Sequence, residues 1–178
     1  MGFQSSMGHV LGVSGRSGVG KTTLIEAMLP TFRYAGLLVN VVKHSHHDVV
    51  LEPPQKDSAR FRQAGAQEVL LSSPYRYSMS AELHGADEPA LDTLLARMKP
   101  ADLTLVEGYH HKDMPRVVLT RGEAGLPRED VDWSSVIAIV TDESHMPGHF
   151  SVPVWPLNDP EQVAQNIRQW FARQPTVG

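Results

Sequence analysis

The chain has 178 residues, 41% of them hydrophobic and 20% charged, with a net charge of -4 and no cysteine. That describes a globular domain of ordinary size and excludes disulfides and any zinc site built on thiolates. The acidic balance offers no broad basic surface to a nucleic-acid backbone, and no apolar run is long enough to span a bilayer. Neither nucleic acid nor a membrane is therefore expected as a partner.

Residues 1–8 carry neither a charged start nor an apolar run, so no secretory signal is expected. Met7 stands just before the first strand, and residues 1–6 read as a vector remnant or a late-initiation extension outside the fold. A single nucleotide-binding domain is expected over 9–174, in the reducing environment of the cytoplasm. Val10–Val13 is a short apolar strand ending in a glycine-rich turn. Lys21–Tyr34 follows at helical spacing, with Leu24, Ile25, Met28 and Leu29 on one face, Pro30 late in the pattern and Gly36 as the stop. Leu37–Val42 is a nearly unbroken apolar run, the pattern of a strand buried on both faces of a parallel sheet.

His44–Gln55, with three histidines and two prolines, reads as a loop, and Lys56–Gly65 as a short polar helix ending at glycine. Val69–Ser72 is strand-like, and Tyr75–Leu83 alternates loosely, as an edge strand does. A helix is expected over Glu88–Met98, closed by Pro100. Leu103–Val106, Val117–Leu119, Val136–Val140 and Val152–Val154 are further strands. Pro160–Arg173 sets Val163, Ile167, Trp170 and Phe171 on one helical face. Strands alternating with helices predict an α/β fold with a doubly wound, mostly parallel sheet.

Gly15-Arg16-Ser17-Gly18-Val19-Gly20-Lys21-Thr22 matches the eight-residue phosphate-binding loop in full, between a strand and a helix. The alternative, a chance match in a glycine-rich turn, does not account for both flanking elements. Glycines let backbone N–H groups approach phosphate oxygens, and the helix starting there presents its positive end. Lys21 is expected on the β- and γ-phosphates and the Thr22 hydroxyl on magnesium, with Thr23 in the same first turn. The fold is accordingly a P-loop NTPase fold. Glu107 ends the apolar strand Leu103–Val106, and Gly108 permits a sharp exit. It is the candidate carboxylate on the far side of the metal, against the alternative of a solvated strand-end acid. Asp102, at the start of that strand, lies at the wrong end of the sheet, since ligands gather at the carboxyl ends.

Lys43 and Asp48, beside the second strand, are candidates for phosphate and substrate contacts. Asp57 is either an N-cap or a carboxylate near magnesium. His44, His46 and His47, with His110 and His111, make five of the nine histidines, and they fit either a transition-metal site or a polar rim. Their spacing matches no standard zinc pattern. Arg116 and Arg121 bracket a strand and either meet an anionic partner or are simply solvated, solvation being the ordinary outcome. Asp142 ends Val136–Val140 and Thr141, where a carboxylate can accept both ring and exocyclic N–H groups of guanine. Asn158 is a base-pocket candidate, and Asp159 reads as a helix cap.

Taken together, Ser14–Thr23 with Leu24-Ile25-Glu26, Lys43-His44-Ser45-His46-His47-Asp48, Pro54-Gln55-Lys56-Asp57-Ser58, Arg62-Gln63-Ala64-Gly65-Ala66, Leu105-Val106-Glu107-Gly108-Tyr109 and Val136–Asp142 make a pattern. It resembles the molybdopterin-guanine dinucleotide biosynthesis protein B family over most of the chain. Gln55 replaces the glycine common before Lys-Asp-Ser, and Tyr109 replaces a frequent phenylalanine. The resemblance implies a homodimer that binds GTP with Mg2+ and turns it over weakly or not at all unaided. Its implied partners are molybdopterin and the enzyme that attaches GMP to it. The absence of a clear water-positioning Gln and of an evident arginine finger in cis agrees with slow hydrolysis. Arg16 could act across a dimer. The residues alone also admit a small-molecule kinase with its acceptor near His44–Asp48, or a metal-delivery GTPase using the histidines.

Overall fold

The computed structural model describes residues 8–45, 48–109, 113–122, 131–142 and 151–174. In chain order the elements are β1 His9–Gly15, α1 Lys21–Tyr34, β2 Val39–Lys43, α2 Asp57–Gln63, β3 Glu68–Ser72, β4 Tyr77–Ala81, α3 Leu91–Leu95, β5 Leu103–Glu107, β6 Arg116–Thr120, β7 Val136–Thr141, β8 Val154–Pro156 and α4 Pro160–Ala172. They divide into two units, Met1–His44 with Met98–Gly178, and Ser45–Arg97. The second is inserted in the sequence between β2 and β5.

The first unit is a six-stranded sheet in the order β2-β5-β1-β6-β7-β8, with every neighbouring pair parallel. Its central strands β5 and β6 are buried at every position, as near-continuous apolar runs require. Leu11, Val13, Leu105, Val117, Leu119 and Val140 point into one cluster with Leu24, Ile25, Met28 and Phe32 of α1 and Val163, Ala164 and Ile167 of α4. The alternate residues Val106, Val118 and Ile139 are buried as well. The fold is thus α/β with a mostly parallel sheet, as the alternation of strands and helices predicts.

The helix ends follow from local chemistry. Gly36, at φ +78°, closes α1, with its N–H on Arg33 O and the Leu37 N–H on Phe32 O, a pair that satisfies carbonyls the helix leaves open. Pro30 sits inside α1 without ending it. Asp159 caps α4 by accepting from Gln162 N at 2.9 Å. At the amino ends of the strands Asp102 accepts from Leu38 N at 2.7 Å, a clamp well away from the carboxyl ends.

Four features depart from the expectations. The strand expected over Leu37–Val42 runs over Val39–Lys43 and is only half-buried. Among the described residues it is an edge strand with β5 as its one neighbour, and Leu38 and Val41 remain 66% and 39% exposed. The helix expected over Glu88–Met98 shortens to Leu91–Leu95, because Ala90 is extended and offers no side-chain cap. The last strand shifts from Val152–Val154 to Val154–Pro156. Arg116 is buried, not solvated. Burial pulls its pKa below the usual arginine value, and the carboxylates of Asp132 and Asp113 oppose that shift.

In the second unit β3 and β4 form an antiparallel hairpin, paired from Glu68 with Ala81 to Ser72 with Tyr77. Its turn is held by Ser73 N and Oγ, both on Arg76 O. Arg62 of α2 donates to Glu82 at 2.7 Å and Glu52 at 3.2 Å, and Ser58 Oγ donates to Glu52.

Phe32 is fully buried between α1 and the rest of the first unit's core. Phe32→Ala should therefore lower stability by about 3–5 kcal/mol, while Leu38→Ala should change it by less than about 0.5 kcal/mol. Urea unfolding followed by circular dichroism checks both, and equal losses would mean that the core is drawn wrongly.

Candidate functional site

Parallel register sets the site. Val13 of β1 and Lys43 of β2 both stand level with Glu107 of β5. The phosphate loop leaves β1 two residues beyond that level, so its helix begins beside the Glu107 carboxylate. Within the loop Gly15 adopts φ +146°, and a Cβ there would lie 2.7 Å from Leu119 O. Gly20, at φ +104°, starts α1. Val19 is buried in the core and anchors the loop, while Arg16, Ser17 and Gly18 are exposed.

No described side chain caps α1. Its first N–H groups, from Lys21, Thr22 and Thr23, thus keep the orientation that suits an anion at a helix start. Lys21 Nζ donates to Gly15 O at 3.0 Å and to Arg16 O at 2.9 Å, which holds the ammonium over the loop. Burial lowers its pKa, the Glu107 charge raises it, and the Lys43 charge lowers it further.

Thr22 Oγ1 lies 3.1 Å and 3.0 Å from the two Glu107 oxygens. Lys43 Nζ donates to Thr22 Oγ1 at 3.1 Å and stands 3.7 Å from Glu107 Oε1. Glu107 is only 8% exposed, so it is a fixed carboxylate and not a solvated strand end. Two neighbouring oxygen ligands of an octahedral magnesium, at its usual bond length, are about 2.9 Å apart. The Thr22 and Glu107 oxygens have that separation, the same as in the hydrogen bond they make, so a hydroxyl and a carboxylate are available to an octahedral ion here. Lys43, whose side chain is 58% exposed, is free to turn away from this pair.

Across the sheet, Asp142 follows β7 and accepts from Gly122 N at 3.0 Å, with Arg121 Nε at 3.7 Å. Asn158 is exposed between β8 and α4. Sequence reasoning weighed Arg121 as an anion contact but favoured solvation, although the rule that finds Glu107, a polar residue just past a strand's carboxyl end, also marks it. It missed the packing of His44 on Tyr109, with ring centroids 4.6 Å apart. That contact is set by His44 N on Glu107 O at 2.8 Å and by Gly108, whose φ of +105° turns the chain. Asp48 and Asp57 belong to the second unit, where Asp57 is exposed and 3.6 Å from Arg60. His46, His47, His110 and His111 lie outside the described residues. Among the described residues no three His, Asp or Glu side chains gather closely enough to hold a metal. No helix of the described residues is long and apolar enough to cross a membrane.

A family model described as molybdopterin guanine dinucleotide synthesis protein B matches residues 10–142. The chain is 35% identical to the molybdopterin-guanine dinucleotide biosynthesis adapter protein of Escherichia coli K12, over 89% of this chain and 90% of that protein. It is 32% identical to the adapter protein of the same description from Haemophilus influenzae, over 95% and 93%. A crystal structure of molybdopterin-guanine biosynthesis protein B superposes with a TM-score of 0.69 at 27% identity, covering 90% of this chain and 99% of that one. The family model spans the phosphate loop, Glu107 and Asp142 alike, and the chain belongs to the molybdopterin guanine dinucleotide synthesis protein B family.

Proposed function

We propose that this protein is a GTP- and Mg2+-binding adapter in molybdopterin-guanine dinucleotide biosynthesis, assisting a partner enzyme that attaches GMP to molybdopterin. The observation that carries the nucleotide half is the convergence of Lys21, Thr22, Lys43 and Glu107 at the mouth of the phosphate loop. The pathway half rests on relatives described as adapters in that biosynthesis. Bound magnesium would neutralise developing charge on the β- and γ-phosphates. This chain's own residues bind and orient: the loop and Lys21 hold phosphates, Thr22 and Glu107 hold the ion, and Asp142 with Asn158 faces the base. Without a described water-positioning Gln beside Thr22, turnover is slow and the protein acts mainly by binding.

Lys21→Ala should weaken GTP binding about a hundredfold and leave the urea midpoint near that of the wild type, since the side chain is not in the core. Calorimetric titration reads this, and wild-type affinity in the variant would refute the loop assignment. In the same titration GTP should outcompete ATP at equal concentration.

Glu107→Gln keeps the size and the Thr22 contact but removes the charge. Magnesium-dependent GTP binding should fall about tenfold or more, while binding in excess chelator does not weaken. If magnesium strengthens binding equally in both proteins, Glu107 is no part of the metal site.

The hairpin of the second unit exposes Leu70, Leu71, Tyr77 and Met79 on its strands and Tyr75 in its turn, large side chains on edges that tend to be paired or covered. We take this as the surface of a homodimer. Sedimentation at micromolar concentrations should give twice the 19.6 kDa monomer mass. Met79→Asp should return the monomer, and a wild type that sediments as a monomer throughout would exclude the dimer.

A further inference from the structure

Arg121 lies one residue beyond β6, and β6 is paired with β1 on the side away from β5. Its terminal nitrogen stands 3.8 Å from where a Cβ on Gly20 would lie. Gly20 is the last residue before Lys21 and the start of α1, so the guanidinium flanks the loop on the side opposite Glu107 and Lys43. Asp142, one step past β7, holds it there. One carboxylate oxygen is fixed by Gly122 N at 3.0 Å, and the other faces Arg121 Nε at 3.7 Å. The fixed oxygen sets the direction of the free one, so the arginine is aimed by a side chain that is itself tied to the backbone. The Arg121 side chain is 54% exposed, and an ion pair in that setting contributes little to stability. Its consequence is the position of a permanent cation.

We propose that Arg121 is a second loop cation, contacting the nucleotide's phosphates from the β6 side, and that Asp142 is its positioning residue. This rests on the nucleotide-binding reading above and deepens it. Lys21 and Lys43 serve the metal side of the loop, and Arg121 serves the other. A guanidinium presents several N–H donors in one plane and matches phosphate oxygens two at a time. The role is independent of the base, because Arg121 reaches the loop whichever base follows. It also separates two tasks of Asp142. Recognition of guanine acts on GTP alone, whereas positioning of Arg121 acts on GTP and ATP equally.

The test is calorimetric titration of the full chain with Mg·GTP and with Mg·ATP, comparing wild type, Arg121→Gln, Arg121→Lys, Asp142→Ala and the Arg121→Gln/Asp142→Ala pair. Arg121→Gln should weaken both nucleotides about tenfold and flatten the dependence of affinity on salt. Arg121→Lys should recover only part of the loss, because a lysine restores the charge but not the paired N–H donors. In the Asp142→Ala background Arg121→Gln should cost less than about threefold, because a cation no longer held has less to lose. Wild-type GTP affinity in Arg121→Gln, or a full tenfold loss in the Asp142→Ala background, would overturn the proposal. A wild type that binds neither nucleotide would instead remove the nucleotide reading itself, an outcome distinct from a wild type and an Arg121→Gln variant that bind alike.

Discussion

The arrangement of the site depends on one constraint, the in-register parallel pairing of β2 and β1 on either side of β5. Because Lys43, Glu107 and Val13 share a level, the turn out of β1 has to pass the Glu107 carboxylate. The first turn of α1 then delivers Thr22 onto it. A shift of one residue in β5 would send Glu107 to the opposite face of the sheet, since side chains alternate along a strand. Burial of Leu103, Leu105 and Val106 fixes that register. The same apolar residues that stabilise the sheet therefore also aim the acid, and a polar substitution among them would disturb both.

Charge follows from this geometry. Glu107 is nearly buried and faces two ammonium groups, one from the loop and one from β2. A carboxylate so placed would be costly alone. Here it accepts from Thr22 and stands close to Lys43, so its charge is compensated before any ligand arrives. The loop keeps a surplus of positive charge, with Arg16 exposed at its tip and Arg121 beside Gly20. That sign suits a polyanion. It sits on a chain of net charge -4, so the attraction is local and does not extend over the surface.

Much of this was legible in the sequence. The loop is contiguous, and its glycines are needed for backbone reasons that do not depend on the rest of the fold. Glu107 was legible because a buried strand fixes its end, and Asp159 because a cap acts over three residues. The edge position of β2 was not, since an apolar run says that a strand pairs but not how many neighbours it has. Arg116 was misread for a related reason. It stands at the start of a strand, where solvation is the ordinary outcome, and only the packing of β6 between β1 and β7 buries it. Arg121 reads as solvated in sequence, because its two neighbours, Gly20 and Asp142, are about 100 and 21 positions away, respectively, by the numbering of the chain.

The strand order turns these separate residues into a line. Read across the carboxyl ends of β2-β5-β1-β6-β7-β8, the chemistry runs Lys43, Glu107, the phosphate loop, Arg121, Asp142, Asn158. Neighbouring strands are about 4.8 Å apart, so the strand of Glu107 and that of Asp142 are separated by about 14 Å. The Glu107 end and the Asp142 end of that line are therefore too far apart to share one cluster of side chains, and under the nucleotide reading proposed above they would serve opposite ends of the ligand. The loop stands between them, and Arg121 sits at the end of the strand between the loop and Asp142. Topology thus sets a polar residue at the end of β6 between the loop and Asp142. Asp142, tied to Gly122 on one oxygen and facing Arg121 with the other, provides the physical link between them.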